Sequence, residues 1–122
     1  MKKLILVLAL IFTNLSAIAG QYEDALRTGM PVCLYMYTQT CKYCKQTKPI
    51  FEKLVQKYNK HCRFVSIDAD SPYGSLLMQD MRIGYVPYIA LADAKRNYYM
   101  PIMPTCALEY ACIEKELKDF LK

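Results

Sequence analysis

The sequence predicts an α/β domain in which helices cover both faces of one central, mixed β-sheet. Two short runs, PVCLYMYT and CRFVSID, have the length and composition of buried strands. Helical patterns lie between the early strands, whereas two later strands follow each other directly before a last helix. Alternating strands and helices favour parallel pairing and a hairpin is antiparallel, so we expect both kinds of pairing in one sheet.

The first half of the chain predicts one short helix, one strand and one long helix. QYEDALRTGM predicts an opening helix that Gly29 and Pro31 terminate, and PVCLYMYT predicts the first strand. The longest helix is predicted from Cys41 to about Asn59, because its apolar residues recur at the spacing of one helical face. These residues are Phe51, Leu54, Val55 and Tyr58. Pro49 lies inside this helix, where we expect a kink.

The second half predicts a strand, a helix, a hairpin and a closing helix. CRFVSID is the second strand, and Ser71 and Pro72 after it have the residue types of an N-cap and a first helical position. Gly84 is expected to end that helix. YVPYIALAD and RNYYMPI predict two strands joined by a turn at residues 94–96, and residues 107–122 predict an amphipathic closing helix.

The first nineteen residues form a separate segment. Lys2 and Lys3 precede the apolar run LILVLALIF, and small residues follow up to Ala19, which is the layout of a secretory signal peptide. A membrane anchor is the alternative, but polar residues interrupt the run, which is short for a span of ~20 residues. We therefore expect cleavage after Ala19, a periplasmic protein and one domain over residues 20–122. Without Lys2 and Lys3 the net charge falls from +5 to +3, too little and too scattered to indicate nucleic acid binding.

The motif CKYC places Cys41 and Cys44 in the first turn of the longest helix. Side chains three residues apart share a helix face, with Cβ atoms ~5–6 Å apart, so a small adjustment lets the two sulfurs bond. Free backbone N–H groups and the helix dipole favour a thiolate at Cys41, as do Lys42 and Lys45. Cysteines in such settings have pKa values of ~3.5–7.5. We therefore expect Cys41 to be the catalytic nucleophile and Cys44 to be the buried thiol that resolves the mixed disulfide.

Three other roles remain open for this cysteine pair. A zinc site needs four ligands, whereas the chain has a single histidine, His61, and its other close cysteines are irregularly spaced. Copper(I) would suit the cysteines together with methionine sulfur, although the methionines lie at ordinary core spacings. A structural disulfide at the helix start is the third role. We expect neither a metal nor a cofactor.

The segment CKYCKQTKPI resembles the active-site helix of the thioredoxin family, with a CxxC motif, a lysine directly after it and a proline five residues after the second cysteine. RIGYVPYIAL is similar to the family's cis-proline segment, and the two motifs occur in the family's order. The resemblance covers nearly all of residues 20–122 and implies a thioredoxin-like fold. It also implies that Pro87 lies opposite the two cysteines and that Val86 binds substrate through its backbone. Thr40, directly before the motif, is a further expected substrate contact.

The chain departs from the family pattern around the motif. Thr40 stands where a tryptophan is common, and the chain contains no tryptophan. The usual buried acid of the preceding strand falls at Tyr35, and its lysine partner falls at Phe64. The usual route for deprotonating the buried thiol is therefore missing. Lys42 and Tyr43 also replace the Gly-Pro of thioredoxin between the cysteines, and the residues at these two positions tune the reduction potential.

The other four cysteines are candidates for structural disulfides, because disulfides persist in exported proteins. Cys33 and Cys62 lie near the starts of two strands that the resemblance places side by side. Two buried free thiols are the favoured interpretation there, and a disulfide is the alternative. Cys106 and Cys112 would face different ways on a continuous helix, so they can bond only if the helix starts after Cys106. Thr105 as an N-cap would argue against that, and both outcomes stay open.

The resemblance implies a thiol:disulfide oxidoreductase, and size separates three exported types. Isomerases of this group usually carry an extra dimerisation domain, for which the chain offers no length, and strong oxidases usually insert a helical domain between the cysteines and the cis-proline. We expect a small, monomeric reductase that acts on periplasmic protein disulfides and receives electrons from a membrane-bound donor. The alternatives are a disulfide-forming oxidase and a redox-inactive module that binds peptides or copper.

Overall fold

The computed structural model describes residues 20–122. The expected signal peptide, residues 1–19, lies outside the described residues, and its cleavage stays a prediction. The helices and strands are, in chain order, α1 (Gln21–Arg27), β1 (Val32–Tyr37), α2 (Lys42–Tyr58), β2 (Arg63–Asp68), α3 (Pro72–Asp80), β3 (Tyr88–Asp93), β4 (Tyr98–Pro101) and α4 (Tyr110–Leu121). A 3₁₀ turn at Cys106–Leu108 precedes α4.

The four strands form one sheet in the spatial order β2-β1-β3-β4. Strand β1 pairs in parallel with β2 and antiparallel with β3, and β3 pairs antiparallel with β4. A long crossover through α2 joins the parallel strands, whereas a short turn suffices for the antiparallel pair β3–β4. The predicted mixed sheet is therefore confirmed, with β1 and β3 in its centre.

Helices cover both faces of this sheet, as the sequence predicts, and two separate apolar layers result. On one face, side chains of α2 and α4, including Leu54 and Ile113, pack against Cys33 and Tyr35 of β1. On the other face, α1 and α3 pack against the alternate residues of β1. Because successive side chains of a strand point to opposite faces, the continuous apolar sequence of β1 supplies both layers.

The predicted start of α3 is confirmed, but its predicted end at Gly84 is wrong. Ser71 is the N-cap, its Oγ accepts the Gly74 N–H at 3.0 Å, and Pro72 is the first helical residue. The helix ends at Asp80, and Arg82 adopts a left-handed φ of 55°. The Ile83 N–H then donates to the Met78 carbonyl at 2.8 Å, which closes a Schellman-type turn. Because Arg82 and not a glycine adopts the left-handed conformation, the position of glycine in the sequence does not mark this helix end.

Candidate active site

The first turn of α2 brings Cys41 and Cys44 together. Their Cα atoms lie 5.2 Å apart, and their sulfurs are at disulfide-bonding distance. Cys41 is the N-cap residue with extended backbone, and its Sγ accepts the Cys44 N–H at 3.1 Å. Cys44 is 4% exposed, whereas Cys41 is only half-buried. The outer sulfur therefore faces approaching molecules and receives a backbone hydrogen bond that also suits a thiolate.

Aromatic side chains lie behind Cys44. The buried Tyr35 hydroxyl donates to the Cys44 carbonyl at 3.1 Å. The Tyr35 ring packs on Phe51 with ring centroids 5.0 Å apart, and Phe51 contacts Phe64 edge to face at 5.5 Å. Burial, as the larger cause, and the neighbouring Tyr37, as the smaller cause, raise the pKa of Tyr35 to about 12. Where the family pattern has an acid and a lysine, this chain therefore has a neutral phenol in an aromatic cluster.

A cavity of about 330 Å³ reaches Cys44 from this same side. Tyr35 lines it together with Lys45, Lys48 and Glu52. The cavity connects Cys44 to solvent, whereas the Tyr35 hydroxyl donates to the Cys44 carbonyl and, with its raised pKa, stays un-ionised near neutral pH.

An apolar groove lies beside the CKYC turn. The groove has a volume of about 410 Å³ and is lined by Tyr43, Tyr85, Val86, Pro87, Pro104, Thr105 and Leu108. The Val86–Pro87 peptide bond is cis. Tyr43, between the two cysteines in sequence, is 56% exposed and lines the groove. Thr40 is exposed directly before Cys41 but is not among the residues that line the groove.

Five of the seven groove residues have no predicted substrate contact, namely Tyr43, Tyr85, Pro104, Thr105 and Leu108. Tyr43 is a departure from the thioredoxin pattern, and Thr105 is only a candidate N-cap in the sequence. Tyr43 carries no sequence signal of such a contact, since a single apolar residue exposed at a protein surface is normal. Leu108 carries none, because only the chain reversal after it brings it to the groove.

Cys106 and Cys112 are at disulfide-bonding distance, with Cα atoms 5.3 Å apart. The closing helix does not begin at Thr105. Thr105 has helical backbone and makes no capping hydrogen bond, and α4 begins at Tyr110 after an extended Glu109. The break at Glu109 removes the continuous helix that would have turned the two cysteines apart.

The candidate Cys33–Cys62 disulfide does not form, and both residues are buried free thiols. Cys33 lies opposite Phe64 in the parallel pair β1–β2, so Cys62 is two residues out of register. That offset is ~6.6 Å along the strand, which puts the two Cα atoms ~8 Å apart and beyond disulfide reach. Burial raises the pKa of Cys62 to about 12 and the pKa of Cys33 well above its ordinary value, so both stay protonated.

Neither a metal cluster nor a membrane helix is found within residues 20–122. In this part of the chain, no group of three or more His, Cys, Asp or Glu side chains is placed to hold a metal ion. No helix in the same residues has the length and apolar character that crossing a bilayer requires.

The thioredoxin family model matches residues 14–107 of the chain. The chain belongs to the thioredoxin family. A thioredoxin domain whose CxxC cysteines stand at disulfide-bonding distance supports thiol:disulfide oxidoreductase activity. The predictions of the family and of the thioredoxin fold are thus confirmed.

Individual relatives agree with this assignment. The chloroplastic thioredoxin-like protein HCF164 of Oryza sativa subsp. japonica is 27% identical over 84 residues, which cover 69% of this chain and 32% of that protein. The chain thus spans about a third of the length of this curated relative. Thioredoxin from Trypanosoma brucei brucei superposes with a TM-score of 0.70 at 16% identity, covering 83% of each chain. Oxidised mitochondrial thioredoxin 3 from Saccharomyces cerevisiae superposes with a TM-score of 0.67 at 21% identity, covering 81% of this chain and 87% of that chain. Both structural likenesses show the fold.

Proposed function

We propose that this protein is an exported thiol:disulfide oxidoreductase that reduces disulfides of periplasmic proteins. The observation that carries the proposal is the Cys41–Cys44 pair at the start of α2 in a thioredoxin domain. Cys41 is half-buried and accepts a backbone hydrogen bond, and Cys44 is buried behind it. An accessible sulfur with a buried partner is the arrangement that dithiol exchange requires.

The reaction consists of two exchanges. The Cys41 thiolate attacks one sulfur of the substrate disulfide, a Cys41–substrate bond forms, and the other substrate sulfur leaves as a thiolate that takes up a proton. Cys44 then loses its proton through the adjoining cavity and attacks Cys41 Sγ. The mixed disulfide breaks, the second substrate thiol leaves, and the Cys41–Cys44 disulfide forms. Two electrons have passed from the protein to the substrate.

The connection between the cysteines and the cis-proline supports reduction of the substrate as the direction of electron flow. Only the rest of α2, then β2 and α3, lie between Cys44 and Pro87. Strong oxidases that resemble this fold usually insert a helical domain there, and this chain does not. The absence of that insertion within the described segment favours a reductase. A membrane-bound electron donor would then return two electrons to the oxidised pair.

Export rests on the N-terminal residues and on the second disulfide. The layout of residues 1–19 is that of a signal peptide. The pairing of Cys106 with Cys112 supports a compartment outside the cytosol, since structural disulfides persist under oxidising conditions. Thr40 and the backbone of Val86 and Pro87 are proposed to contact the substrate.

Cys44→Ala tests the proposal directly. The variant cannot resolve the mixed disulfide, so covalent adducts through Cys41 should accumulate in periplasmic extracts and disappear on reduction. Cys41→Ala is the matched control and should form none. Partners retained without any covalent adduct would indicate a binding module instead of an enzyme.

The reduction potential of the Cys41–Cys44 pair tests the direction. Equilibration against glutathione should give a reduction potential of about −270 mV for a reductase. A potential of about −120 mV would indicate a disulfide-forming oxidase and would refute the proposed direction of electron flow.

A further inference from the structure

The apolar groove beside the dithiol has two walls of different origin. One wall is the segment Tyr85–Pro87, which belongs to the cis-proline motif. The other wall is residues 104–108, which follow strand β4 and include the 3₁₀ turn. This second stretch, here called the groove wall, lies outside both sequence motifs, so its position depends on what holds it.

Two tethers hold the groove wall. The first is the Cys106–Cys112 disulfide, which joins the wall to the first turn of α4, next to the fully buried Ile113. The second is the Thr47 hydroxyl, which donates to the Ala107 carbonyl at 2.9 Å. Thr47 is 0% exposed and lies on α2, one turn after Cys44. The two tethers thus fix the wall to the closing helix and to the active-site helix.

The lining of the groove indicates what it binds. Its side chains are two tyrosines, two prolines, a valine, a leucine and a threonine, and none carries a charge. Lys45 and Lys48, which follow the motif, line the separate cavity that reaches Cys44. Tyr43, the residue directly before Cys44, is the part of the CKYC turn that lines the groove, so the groove begins beside the turn that carries the two cysteines. A chain whose cysteine meets Cys41 would therefore place its neighbouring residues in apolar surroundings.

We propose that the Cys106–Cys112 disulfide and Thr47 are positioning residues that fix the groove wall, and that the groove selects protein disulfides whose cysteine is flanked by an apolar residue. This inference rests on the proposed function, because it names the substrate class of the same site. The tethers do not touch the reacting sulfurs. Their loss should weaken substrate binding while leaving the chemistry of Cys41 and Cys44 in place.

The test compares two peptide disulfides and one small disulfide. The peptides differ only in the residue next to the cysteine, leucine in one and serine in the other, and bis(2-hydroxyethyl) disulfide serves as the substrate too small to reach the groove wall. Wild-type protein should have a lower KM for the leucine peptide, by about tenfold, the size of effect that one apolar contact in a pocket produces. The small disulfide measures activity that does not depend on the groove.

Three variants perturb the wall in different ways. Cys106→Ser with Cys112→Ser removes the first tether, Thr47→Val removes the second without touching a cysteine, and Leu108→Ala trims the wall itself. Each should raise the KM for the leucine peptide about five- to tenfold. The two tether variants should leave kcat, small-disulfide turnover and the equilibrium constant of the Cys41–Cys44 pair with glutathione within about twofold of wild type. Thr28→Val is the matched control, since the Thr28 hydroxyl also donates to a backbone carbonyl, that of Ala25, on a different helix. It should change none of these values.

Two results would overturn the inference. One is an unchanged preference for the leucine peptide in Thr47→Val and Leu108→Ala, both of which retain the disulfide. The other is a fall in small-disulfide turnover that parallels the peptide result, which would show a general loss of structure. Failure of the proposed function is a separate outcome, because wild-type protein would then reduce none of the three disulfides.

Discussion

Replacement of Tyr35 by phenylalanine separates the structural role of the hydroxyl from any role in proton transfer. The hydroxyl is buried and donates to the Cys44 carbonyl at 3.1 Å, so the variant loses one buried hydrogen bond while the aromatic contact with Phe51 remains. A bond of this kind contributes about 1 kcal/mol to the free energy of unfolding. With a pKa of about 12, only on the order of 10⁻⁵ of the phenol is ionised at pH 7, so Tyr35 cannot act as the base for Cys44.

We therefore expect Tyr35→Phe to lower the free energy of unfolding of the oxidised protein by about 1 kcal/mol, measured by guanidinium denaturation. The pH dependence of disulfide reduction between pH 6 and 9 should keep its shape. Tyr37→Phe is the matched control two residues along β1, because its hydroxyl makes no hydrogen bond with residues 20–122, and its stability should stay near that of wild type. A pH profile that shifts in Tyr35→Phe, or an activity lost more than about tenfold without unfolding, would refute the assignment of a purely structural hydroxyl.

Three further predictions follow from burial and charge. Hydrogen bonds from Lys57 and Tyr110 lower the pKa of Glu114 to about 2, so its contribution to stability is fully present above about pH 4.5 and is lost as the pH falls toward 2. Melting temperatures of wild type and Glu114→Gln should converge over that range, and a constant difference would contradict the assignment. In reduced native protein at pH 8, iodoacetamide should modify Cys41 within minutes but Cys62 on the order of 10³-fold more slowly. The reason is that the Cys62 thiol, with a pKa of about 12, is almost fully protonated at this pH. Mass spectrometry can count the adducts. Leu117→Ala should lower the free energy of unfolding by about 2–5 kcal/mol in urea titrations, since Leu117 is fully buried, and a loss below about 1 kcal/mol would show that the site collapses around the smaller side chain.

Local patterns predicted the elements well where the signal lay within a few residues. The apolar spacing of α2 placed Phe51 and Leu54 in the core, and Ser71 with Pro72 marked the start of α3. The predicted end of α3 at Gly84 is wrong because Arg82, and not a glycine, adopts the left-handed conformation that ends the helix. The closing helix is predicted from residue 107 but begins at Tyr110, because no glycine or proline marks the break at Glu109.

The dithiol and its neighbours along the chain follow from local sequence alone. A spacing of three residues at a helix start places Cys41 and Cys44 within bonding reach whatever the rest of the fold does, and the family motifs lie in the same short segments. Which of the other cysteines pair, and which residues border the groove, depends on how distant parts of the chain pack together. A two-residue strand offset separates Cys33 from Cys62, and a chain reversal joins Cys106 to Cys112 beside the groove. Register and chain reversal depend on the packing of elements far apart in sequence, so no local pattern encodes them.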